Sequence, residues 1–427
     1  MAEYSRIRAL WPDHLGLARG KYLPARLAEA GTNHSLSVFS LGYDREIYPA
    51  PHTGIEAGFP DMEARFSMGD VRPGWEESTG VVVAGLSYEG DALRISPRET
   101  LQRAIHDWAA LGFAPKVGIE LEGYILEPDG AGGWKPWDTP GAFVYGTGSG
   151  VDPVGLMDEI MTVAERMGLP IEAINSEFDP PQFEMTLEYG DALQACDEVF
   201  LFKVMAREVA QSMGLLLTFM GRPLGDRGGN GTHVNLSFED VDGSNVFHDP
   251  DAEDGLSDMA RSCIAGLLEH HRGMTALCAP TVNAYKRLRP AQMSGYWANW
   301  GYDNRCVGVR VPPTRGQGTR LESRLADGAV SPHMATAAVL QAARLGFTAG
   351  AQPPDPETGD GIEEVCTDIH VPTSLNEALD AMEADTEFTS AIGPELAEHF
   401  LVIKRAEWER FDNAVTDWEM REYLPFL

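Results

Sequence analysis

The chain has 427 residues, enough for about two or three conventional domains or for one large catalytic domain with a smaller companion. Hydrophobic residues make up 43% and charged residues 23%, which is ordinary for a globular protein in water. The formal net charge of −32 excludes general binding to nucleic acid, because phosphate recognition needs a basic surface. This excess of acid favours solubility, with steering of cationic substrates as the alternative.

The cysteines and the N-terminal stretch indicate a reducing compartment and no membrane segment. The five cysteines are odd in number and show no CxxC spacing, which fits a cytosolic protein better than a disulfide framework. Residues 1–16 lack the apolar core of a signal peptide, and no run approaches about 18 uninterrupted apolar residues. We therefore expect a cytoplasmic protein without a membrane partner.

The first part of the chain alternates short strand-like runs with Gly/Pro turns, and residues 81–88 (VVVAGLSY) are the clearest predicted strand. Residues 96–112 then predict a helix that a Ser-Pro pair begins and a glycine ends. We place a domain boundary at this helix. It separates a small α+β domain, residues 1–95, from a large domain, residues 96–427.

Beyond the boundary, helical patterns alternate with strand patterns, so the large domain is predicted to be mixed α+β. Residues 191–214 have the apolar spacing of a helix, and residues 215–220 have the composition of a strand. The proline-rich stretch 351–361 predicts an exposed loop, and the tail from Pro394 is predicted to be helical.

Residues 117–126 (VGIELEGYIL) place two glutamates inside a predicted buried strand. Apolar residues alternate on one face, so Glu120 and Glu122 lie side by side on the other. Neighbouring carboxylates repel each other, and each is costly to remove from water. The pair therefore predicts a nearby cation.

Polar residues also share one face of three further predicted strands: Gln182 and Glu184; His233, Asn235 and Ser237; and Arg320, Glu322 and Arg324. Glu177 stands just before the first of these strands. A single strand of this kind is better explained by an exposed polar face, and His233 alone by a hydrogen-bonded core histidine. Four strands of one design predict an oxygen-rich site for hard divalent ions such as Mg²⁺ or Mn²⁺. Without cysteine ligands, a structural zinc site is not expected.

Positive charge is concentrated in the later segments. The chain has only 33 lysines and arginines, yet five arginines fall between residues 287 and 324: Arg287, Arg305, Arg310, Arg320 and Arg324. Guanidinium groups match carboxylate and phosphate oxygens with two parallel hydrogen bonds. Pairing with the acidic surface explains one or two of these arginines, but the set beside acidic strands predicts a site for a metal–nucleotide and a carboxylate substrate.

These segments, in this order, resemble the glutamine synthetase family. The resemblance spans most of residues 96–345 and is carried by Glu120-x-Glu122, SEFDPPQFE (176–184), TFMGRPLGDRGGNGTHVN (218–235), NAYKRLRP (283–290), DNRCVGVRVP (303–312) and RLESRLAD (320–327). The tail 407–424 also resembles the family's C-terminus, whereas residues 1–95 match only loosely. The resemblance implies an α+β fold. A small N-terminal β-grasp-like domain would precede a glutamine-synthetase-type catalytic domain, whose antiparallel sheet lines the active site.

The resemblance also implies an activity. ATP would phosphorylate the γ-carboxylate of L-glutamate, because a free carboxylate has no adequate leaving group, and an amine would attack the γ-glutamyl phosphate to form an amide. Metal ions and arginines would neutralise the two anions that meet in the first step. The implied cofactors are about two to three Mg²⁺ or Mn²⁺ ions per active site, with ATP as co-substrate. The implied assembly is a homo-oligomer, a dodecamer of two stacked hexameric rings with active sites at subunit interfaces.

The resemblance assigns roles to individual residues. One divalent ion would be held by Glu122, Glu177 and Glu184, and the other by Glu120, His233 and Glu322. Glutamate would be bound by Arg287, Arg324 and Gly229, and the transferred phosphoryl group would lie against Arg305. The implied catalytic residues are Arg305, Arg287 and Glu322. The nucleotide would contact Glu172, Asn235, Ser237, Arg310 and Arg320.

Met293 departs from the family's pattern. Aligned without gaps, it stands where members that use ammonium carry a glutamate, which closes the site and takes a proton from ammonium. Methionine neither takes a proton nor attracts a cation, and it lines apolar pockets. The nearby Tyr296, Trp297 and Trp300 would extend such an amine pocket. A segment shifted by one or two residues, with another acid substituting, is the alternative.

Other departures point the same way. Asn235 stands where the family has a second histidine, and residues 48–59 occupy the region of an aspartate-bearing DGSS stretch that is not found. A modifiable tyrosine loop of some members is also not found. These losses predict an organic amine, and residues 290–302, which contain no acid, favour an apolar or aromatic amine over a polyamine. An authentic glutamine synthetase using ammonium and a non-catalytic structural relative are the alternatives.

Overall fold

The computed structural model describes residues 4–51, 53 and 55–427. Parts of two stretches discussed above therefore lie outside the described residues. They are the first three residues of stretch 1–16, and residues 52 and 54 of stretch 48–59.

The N-terminal region is built from short strands that form small sheets. The strands are β1 (Arg6–Pro12), β2 (Ala18–Pro24), β3 (Thr32–Ser35), β4 (Asp61–Arg65), β5 (Arg72–Pro73), β6 (Thr79–Val83), β7 (Gly85–Tyr88) and β8 (Asp91–Ala92). One sheet has the order β2-β1-β6-β5 and another the order β3-β4-β7-β8. Strands β1 and β6 are parallel, and the other neighbours in these sheets are antiparallel.

The prediction of a single strand over residues 81–88 is wrong. The chain divides at Ala84, whose N–H donates to Leu10 O at 2.7 Å. The residues before it belong to the first sheet and those after it to the second. A continuous apolar run is compatible with either sheet, so periodicity alone does not show where a chain changes partners.

Helices cover much of the rest of the chain: α1 (Pro97–Ala110), α2 (Leu156–Met167), α3 (Ala192–Ser212), α4 (Asp258–Glu269), α5 (His271–Cys278), α6 (Pro332–Ala349), α7 (Leu375–Ala384), α8 (Thr386–Ile392), α9 (Pro394–Asp412) and α10 (Asp417–Tyr423). The helices predicted over 96–112, 191–214 and the tail are confirmed. Gly112, after α1, has φ +91°, a conformation that glycine adopts without strain. The division between residues 95 and 96 stays a prediction.

The large sheet is the framework of the second half of the fold. Its strands are β9 (Ala114–Pro128), β10 (Trp134–Pro136), β11 (Ile171–Ser176), β12 (Gln182–Leu187), β13 (Gly190–Asp191), β14 (Leu216–Thr218), β15 (Thr232–Glu239), β16 (Trp300–Tyr302), β17 (Val309–Val311) and β18 (Leu321–Ser323). The main order is β11-β12-β9-β15-β18-β17-β16, with β10, β13 and β14 pairing along β9. Only the β16–β17 pair is parallel among the described strands of this sheet. The predicted α+β fold with an antiparallel sheet is confirmed.

The two faces of this sheet have different environments. Val117, Ile119 and Leu121 on β9 are buried on one face, against a core that includes α1, α3 and α6. Trp108 of α1 is fully buried there, and its indole N–H donates to Leu340 O at 3.0 Å. This apolar layer fixes the sheet from one side, so the polar side chains of the same strands point to the other side.

Residues 351–361 form an irregular loop, as predicted, but the prediction that the loop is exposed is wrong at Glu357. The Glu357 side chain is buried because backbone and side-chain donors of neighbouring segments surround its carboxylate. Within the described residues, no helix combines the length and apolar character that crossing a lipid bilayer requires.

Three helices meet at Asp197 of α3, and this contact generates a stability prediction. Arg98 of α1 donates to both oxygens of Asp197, at 2.9 and 2.7 Å, and His333 Nε2 of α6 lies 2.8 Å from Asp197 Oδ1. Burial alone would raise the pKa of Asp197, but the hydrogen bonds from His333 and Arg98 lower it. Asp197→Ala leaves a largely buried guanidinium unpaired and is expected to cost about 3 kcal/mol of unfolding free energy.

The measurement is the thermal melting temperature of Asp197→Ala against Asp191→Ala, whose exposed ion pair with Lys116 is worth about 0–1 kcal/mol. Because the folded pKa of Asp197 is lowered, its contribution is present above the ordinary carboxyl pKa of about 4 and is lost as the pH falls below it. The gap between Asp197→Ala and the wild-type chain should therefore shrink in acid. Equal melting temperatures for the two variants at neutral pH would contradict the prediction.

Candidate active site

The register of the large sheet brings the predicted acidic residues together. Glu122 on β9 stands opposite Glu184 on β12, and Glu120 stands opposite His233 on β15. On the next strand, Glu322 of β18 stands opposite Asn235 of β15. Like charges directly opposite each other destabilise a sheet unless something neutralises them. The polar face is therefore arranged for a positively charged ligand.

Glu120, His233 and Glu322 form a compact group of ligand atoms. One ligand atom from each lies within 4.8 Å of the others. His233 Nδ1 is 3.2 Å from Glu120 Oε2 and 3.7 Å from Glu322 Oε1. The His233 ring is buried, and its Nε2 has no hydrogen-bond partner among the described residues. Nε2 lies 3.7 Å from Glu122 Oε1, whereas Nδ1 faces Glu120 and Glu322, so carboxylate oxygens surround the ring and the group fits a divalent cation.

Arginines also neutralise this group. Arg310 Nη1 donates to Glu322 Oε2 at 2.7 Å, and Arg324 Nη1 donates to Glu322 Oε1. Burial raises the pKa of Glu322, but Arg324, His233 and Arg310 outweigh it and lower the pKa overall. The pKa of Glu120 is lowered to about 2, because His233 and Asn235 overcome its burial. Both carboxyl groups are therefore ionised at neutral pH.

The second predicted group is Glu122, Glu177 and Glu184, and at Glu177 and Glu184 the nearby positive charge does not outweigh burial and repulsion. Burial and the charges of Glu120, Glu177 and Glu122 raise the pKa of Glu184 to about 8. Burial and the charge of Glu122 raise the pKa of Glu177 as well. A divalent ion between these carboxylates would remove the repulsion, so the residues present fit a metal.

One cavity of about 450 Å³ opens beside the metal-binding face. It is lined by all the residues predicted to contact the nucleotide: Glu172, Asn235, Ser237, Arg310 and Arg320. Lys116 and Tyr189 are among the further lining residues that sequence reasoning missed. Lys116 stands opposite Ser237 in the β9–β15 register, a position that strand periodicity could have indicated. Basic and aromatic groups around one cavity suit a phosphate-bearing ligand with a planar base.

A smaller cavity of about 200 Å³ adjoins the carboxylates. Gly229, Arg287 and Arg324 line it, as predicted for the glutamate site. A Cβ on Gly229 would approach Gly221 O to 2.5 Å and Arg287 Cβ to 2.8 Å, so only glycine fits here. Arg305 lines both cavities and is exposed, which puts a cation at their junction.

The structure brings only part of the predicted amine pocket to this cavity. Met293 lines it and is 47% exposed. Tyr296 and Trp297 line neither cavity, because both rings pack on His370, with Tyr296 stacked at 5.2 Å between centroids. Sequence reasoning missed Tyr145 and Phe178, which are exposed and line the cavity with Met293. The position of Phe178 directly after Glu177 was the available signal.

Comparison with known proteins now decides the family. The family sequence model for the glutamine synthetase catalytic domain matches residues 94–423 of the chain. The chain belongs to the glutamine synthetase family. It is 34% identical to the glutamine synthetase of Methanosarcina mazei over 99% of this chain and 95% of that protein. It is 32% identical to the γ-glutamylethanolamide synthetase of Streptomyces coelicolor over 96% of this chain and 90% of that protein.

A solved structure agrees with the sequence relatives. GmaS without ligand superposes with a TM-score of 0.87 at 30% identity, covering 99% of this chain and 97% of that chain. As a member of the glutamine synthetase family, the protein is an ATP-dependent ligase that forms amide bonds. Members of this family use divalent metal ions, glutamate, and ammonia or an amine.

The uncompensated carboxylates predict the behaviour of Glu184→Gln. Burial and acidic neighbours force Glu184 to take up a proton on folding at neutral pH, and glutamine avoids that cost, so the substitution is expected to stabilise the metal-free protein by about 1 kcal/mol. The same change should abolish most of the rise in melting temperature that Mg²⁺ or Mn²⁺ gives the wild-type chain.

The measurement is the melting temperature with and without metal, and Glu188→Gln, an exposed glutamate just beyond β12, is the matched control. A metal response that persists in Glu184→Gln, together with a lower metal-free melting temperature, would show that Glu184 holds no ion.

Proposed function

We propose that this glutamine synthetase family member joins the γ-carboxylate of L-glutamate to an organic amine. ATP forms a γ-glutamyl phosphate, the amine attacks it, and the products are a γ-glutamyl amide, ADP and phosphate. The observation that carries the proposal is Met293, which lines the smaller cavity at the position where ammonium-using members are expected to carry a glutamate. The similarity to a γ-glutamylethanolamide synthetase supports an acceptor other than ammonium.

The proposed roles follow from charge and position. Arg287 and Arg324 bind the glutamate carboxylate in the smaller cavity, and Arg310 and Arg320 bind phosphates in the larger one. Arg305, at the junction, stabilises the phosphoryl group as it passes between the two substrates. About two to three Mg²⁺ or Mn²⁺ ions, held by the two carboxylate groups, would supply Lewis-acid stabilisation of phosphoryl oxygens.

The lining of the cavity favours an apolar or aromatic amine. Tyr145, Phe178 and Met293 present apolar surface where the acceptor enters, and each is at least 47% exposed. An aniline is uncharged at neutral pH, so it reaches the acyl phosphate without prior loss of a proton. A polyamine would need additional carboxylates, and residues 290–302 supply none.

Ammonium is the second candidate acceptor, which the 34% identity to a protein named glutamine synthetase favours. Another acid would then have to replace the glutamate that Met293 displaces. A non-catalytic role is disfavoured, because buried charges such as Glu322 are costly to retain without a ligand.

We further propose a ring-shaped homo-oligomer, a dodecamer of two stacked hexamers with active sites shared between subunits. The proposal rests on the family to which the chain belongs. A cytoplasmic location accords with cysteines that are all free thiols within the described residues.

The first test is phosphate release from ATP with glutamate and Mg²⁺, with ammonium, putrescine, ethanolamine, isopropylamine and aniline supplied separately. We expect an apolar or aromatic amine to exceed ammonium in kcat/KM by at least about tenfold, because the lining contacts carbon atoms that ammonium lacks. Mass spectrometry of the product identifies the amide. Efficient turnover with ammonium alone would make the protein a glutamine synthetase in the narrow sense.

Met293→Glu tests the position that carries the proposal. A carboxylate here should raise kcat/KM for ammonium by about 100-fold, since it attracts the cation and accepts its proton, and should weaken use of the apolar amine. Met293→Gln is the control, because it is polar but accepts no proton at neutral pH. An equal change in both variants would mean that residue 293 does not face the acceptor.

A further inference from the structure

Arg305 has an unusual setting for a residue at the junction of two substrate cavities. It lies in the turn between β16 and β17, is exposed, and makes no hydrogen bond or ion pair to any described residue. No contact of the Arg305 side chain therefore fixes the position of its guanidinium group. The position of the guanidinium depends on the backbone of the turn, residues 303–308.

A second segment lies against this turn and its base. We call residues 354–366 the strap; they belong to no helix or strand. The strap is attached at Trp300, which donates its indole N–H to Pro354 O at 2.8 Å and accepts the Glu357 N–H at 2.7 Å. In the turn itself, Asn304 Nδ2 donates to Gly359 O at 3.3 Å. The strap therefore contacts both the strand before the turn and the turn itself.

Glu357 is the centre of this attachment. Its side chain is only 8% exposed, although it carries no ion pair with a described cation. Oε2 accepts from Asn299 Nδ2 at 3.2 Å and from the Cys366 N–H at 2.9 Å, and Oε1 accepts from the Gly359 N–H at 3.2 Å. The burial of this carboxylate raises its pKa, but these bonds lower the pKa overall. A buried carboxylate held only by neutral donors needs such a full set of partners.

Asn299 transmits the constraint to the far end of the turn. It is 1% exposed, and its Oδ1 accepts the Gly308 N–H at 3.0 Å. Its backbone carbonyl accepts the Val309 N–H at 3.0 Å. Because the side-chain amide is planar, holding Nδ2 on Glu357 also sets the direction of Oδ1. Glu357 is thus connected to Gly308 and Val309, which close the turn, through the buried residue Asn299.

We infer that Glu357 is a positioning residue for Arg305. Through Asn299 and the strap, it holds the 303–308 turn so that the guanidinium stays between the nucleotide and glutamate cavities. The inference rests on the role of Arg305 proposed above and adds a residue from a loop that contacts neither cavity.

The test is steady-state kinetics of Glu357→Ala, with Glu363→Ala as the matched control on the exposed part of the strap. We expect kcat to fall about 10- to 100-fold, because a small displacement of a transition-state cation is costly, while KM for glutamate changes less than about twofold. Glu357→Gln should recover most of the loss, since its amide oxygen can still accept from Asn299 and Cys366. Glu363→Ala should match the wild-type chain.

A double-mutant cycle separates positioning from a general loss of structure. In an Arg305→Ala background, Glu357→Ala should lower kcat by less than about twofold, because no guanidinium is left to position. If Glu357→Ala does not assemble, Glu357→Asp serves, since it keeps the charge and shortens the reach. If Glu357→Ala lowers kcat by the same factor in both backgrounds, or leaves kcat unchanged in the wild-type background, the inference is overturned.

Failure of the proposed function can be distinguished from failure of the inference about Glu357. Full activity of Arg305→Ala would show that Arg305 is not needed for catalysis. The inference about Glu357 would then fail as well. Turnover with ammonium instead of an organic amine would change the acceptor but leave the cycle unaffected, since both acceptors require phosphoryl transfer.

Discussion

Mutual repulsion of carboxylates on one face of a sheet is the constraint on which the rest of the site depends. The register places Glu184 opposite Glu122, and the pKa of Glu184 is raised to about 8 by burial and its acidic neighbours. Such an arrangement would not persist on a free strand pair. It is held because the other face of β9 is packed into the main core, so moving one strand would expose Ile119 or Leu121.

Positive charge is distributed unevenly over the same face. Glu322 accepts from both Arg310 and Arg324, whereas no arginine of the described residues forms an ion pair with Glu122 or Glu184. One carboxylate group is therefore partly neutralised by the protein, and the other depends on a cation. Arg310 lines the larger cavity and Arg324 the smaller one, and both donate to Glu322, so Glu322 connects the two cavities electrostatically.

The side of the smaller cavity that is proposed to receive the acceptor follows a different principle. Tyr145, Phe178 and Met293 expose apolar surface close to the carboxylates. Apolar groups beside charge are costly to leave in water unless a ligand covers them. Selection of the amine would then depend on the substituent on nitrogen rather than on its charge. The strap, in contrast, is held by hydrogen bonds, as suits a segment with a fixed geometry.

Much of the chemistry could be read from the sequence, because it depends on residue type and short-range spacing. Strand periodicity placed Glu120 and Glu122 on one face, and motif order supplied the arginines that line the two cavities. The helix over 96–112 followed from local start and stop signals that need no tertiary contact. The fold class and the family were predictable for the same reason.

Contacts between distant segments were decided only by the tertiary structure. Periodicity did not show that residues 81–88 divide between sheets, because an apolar run satisfies either partner. Sequence proximity suggested that Tyr296 and Trp297 join Met293, yet both pack on His370, more than seventy residues away in the chain. The burial of Glu357 likewise depends on donors from Asn299 and Cys366. The sequence by itself determined which charges and faces exist, and the tertiary structure decided which of them meet, because long-range packing depends on side chains that local spacing does not bring together.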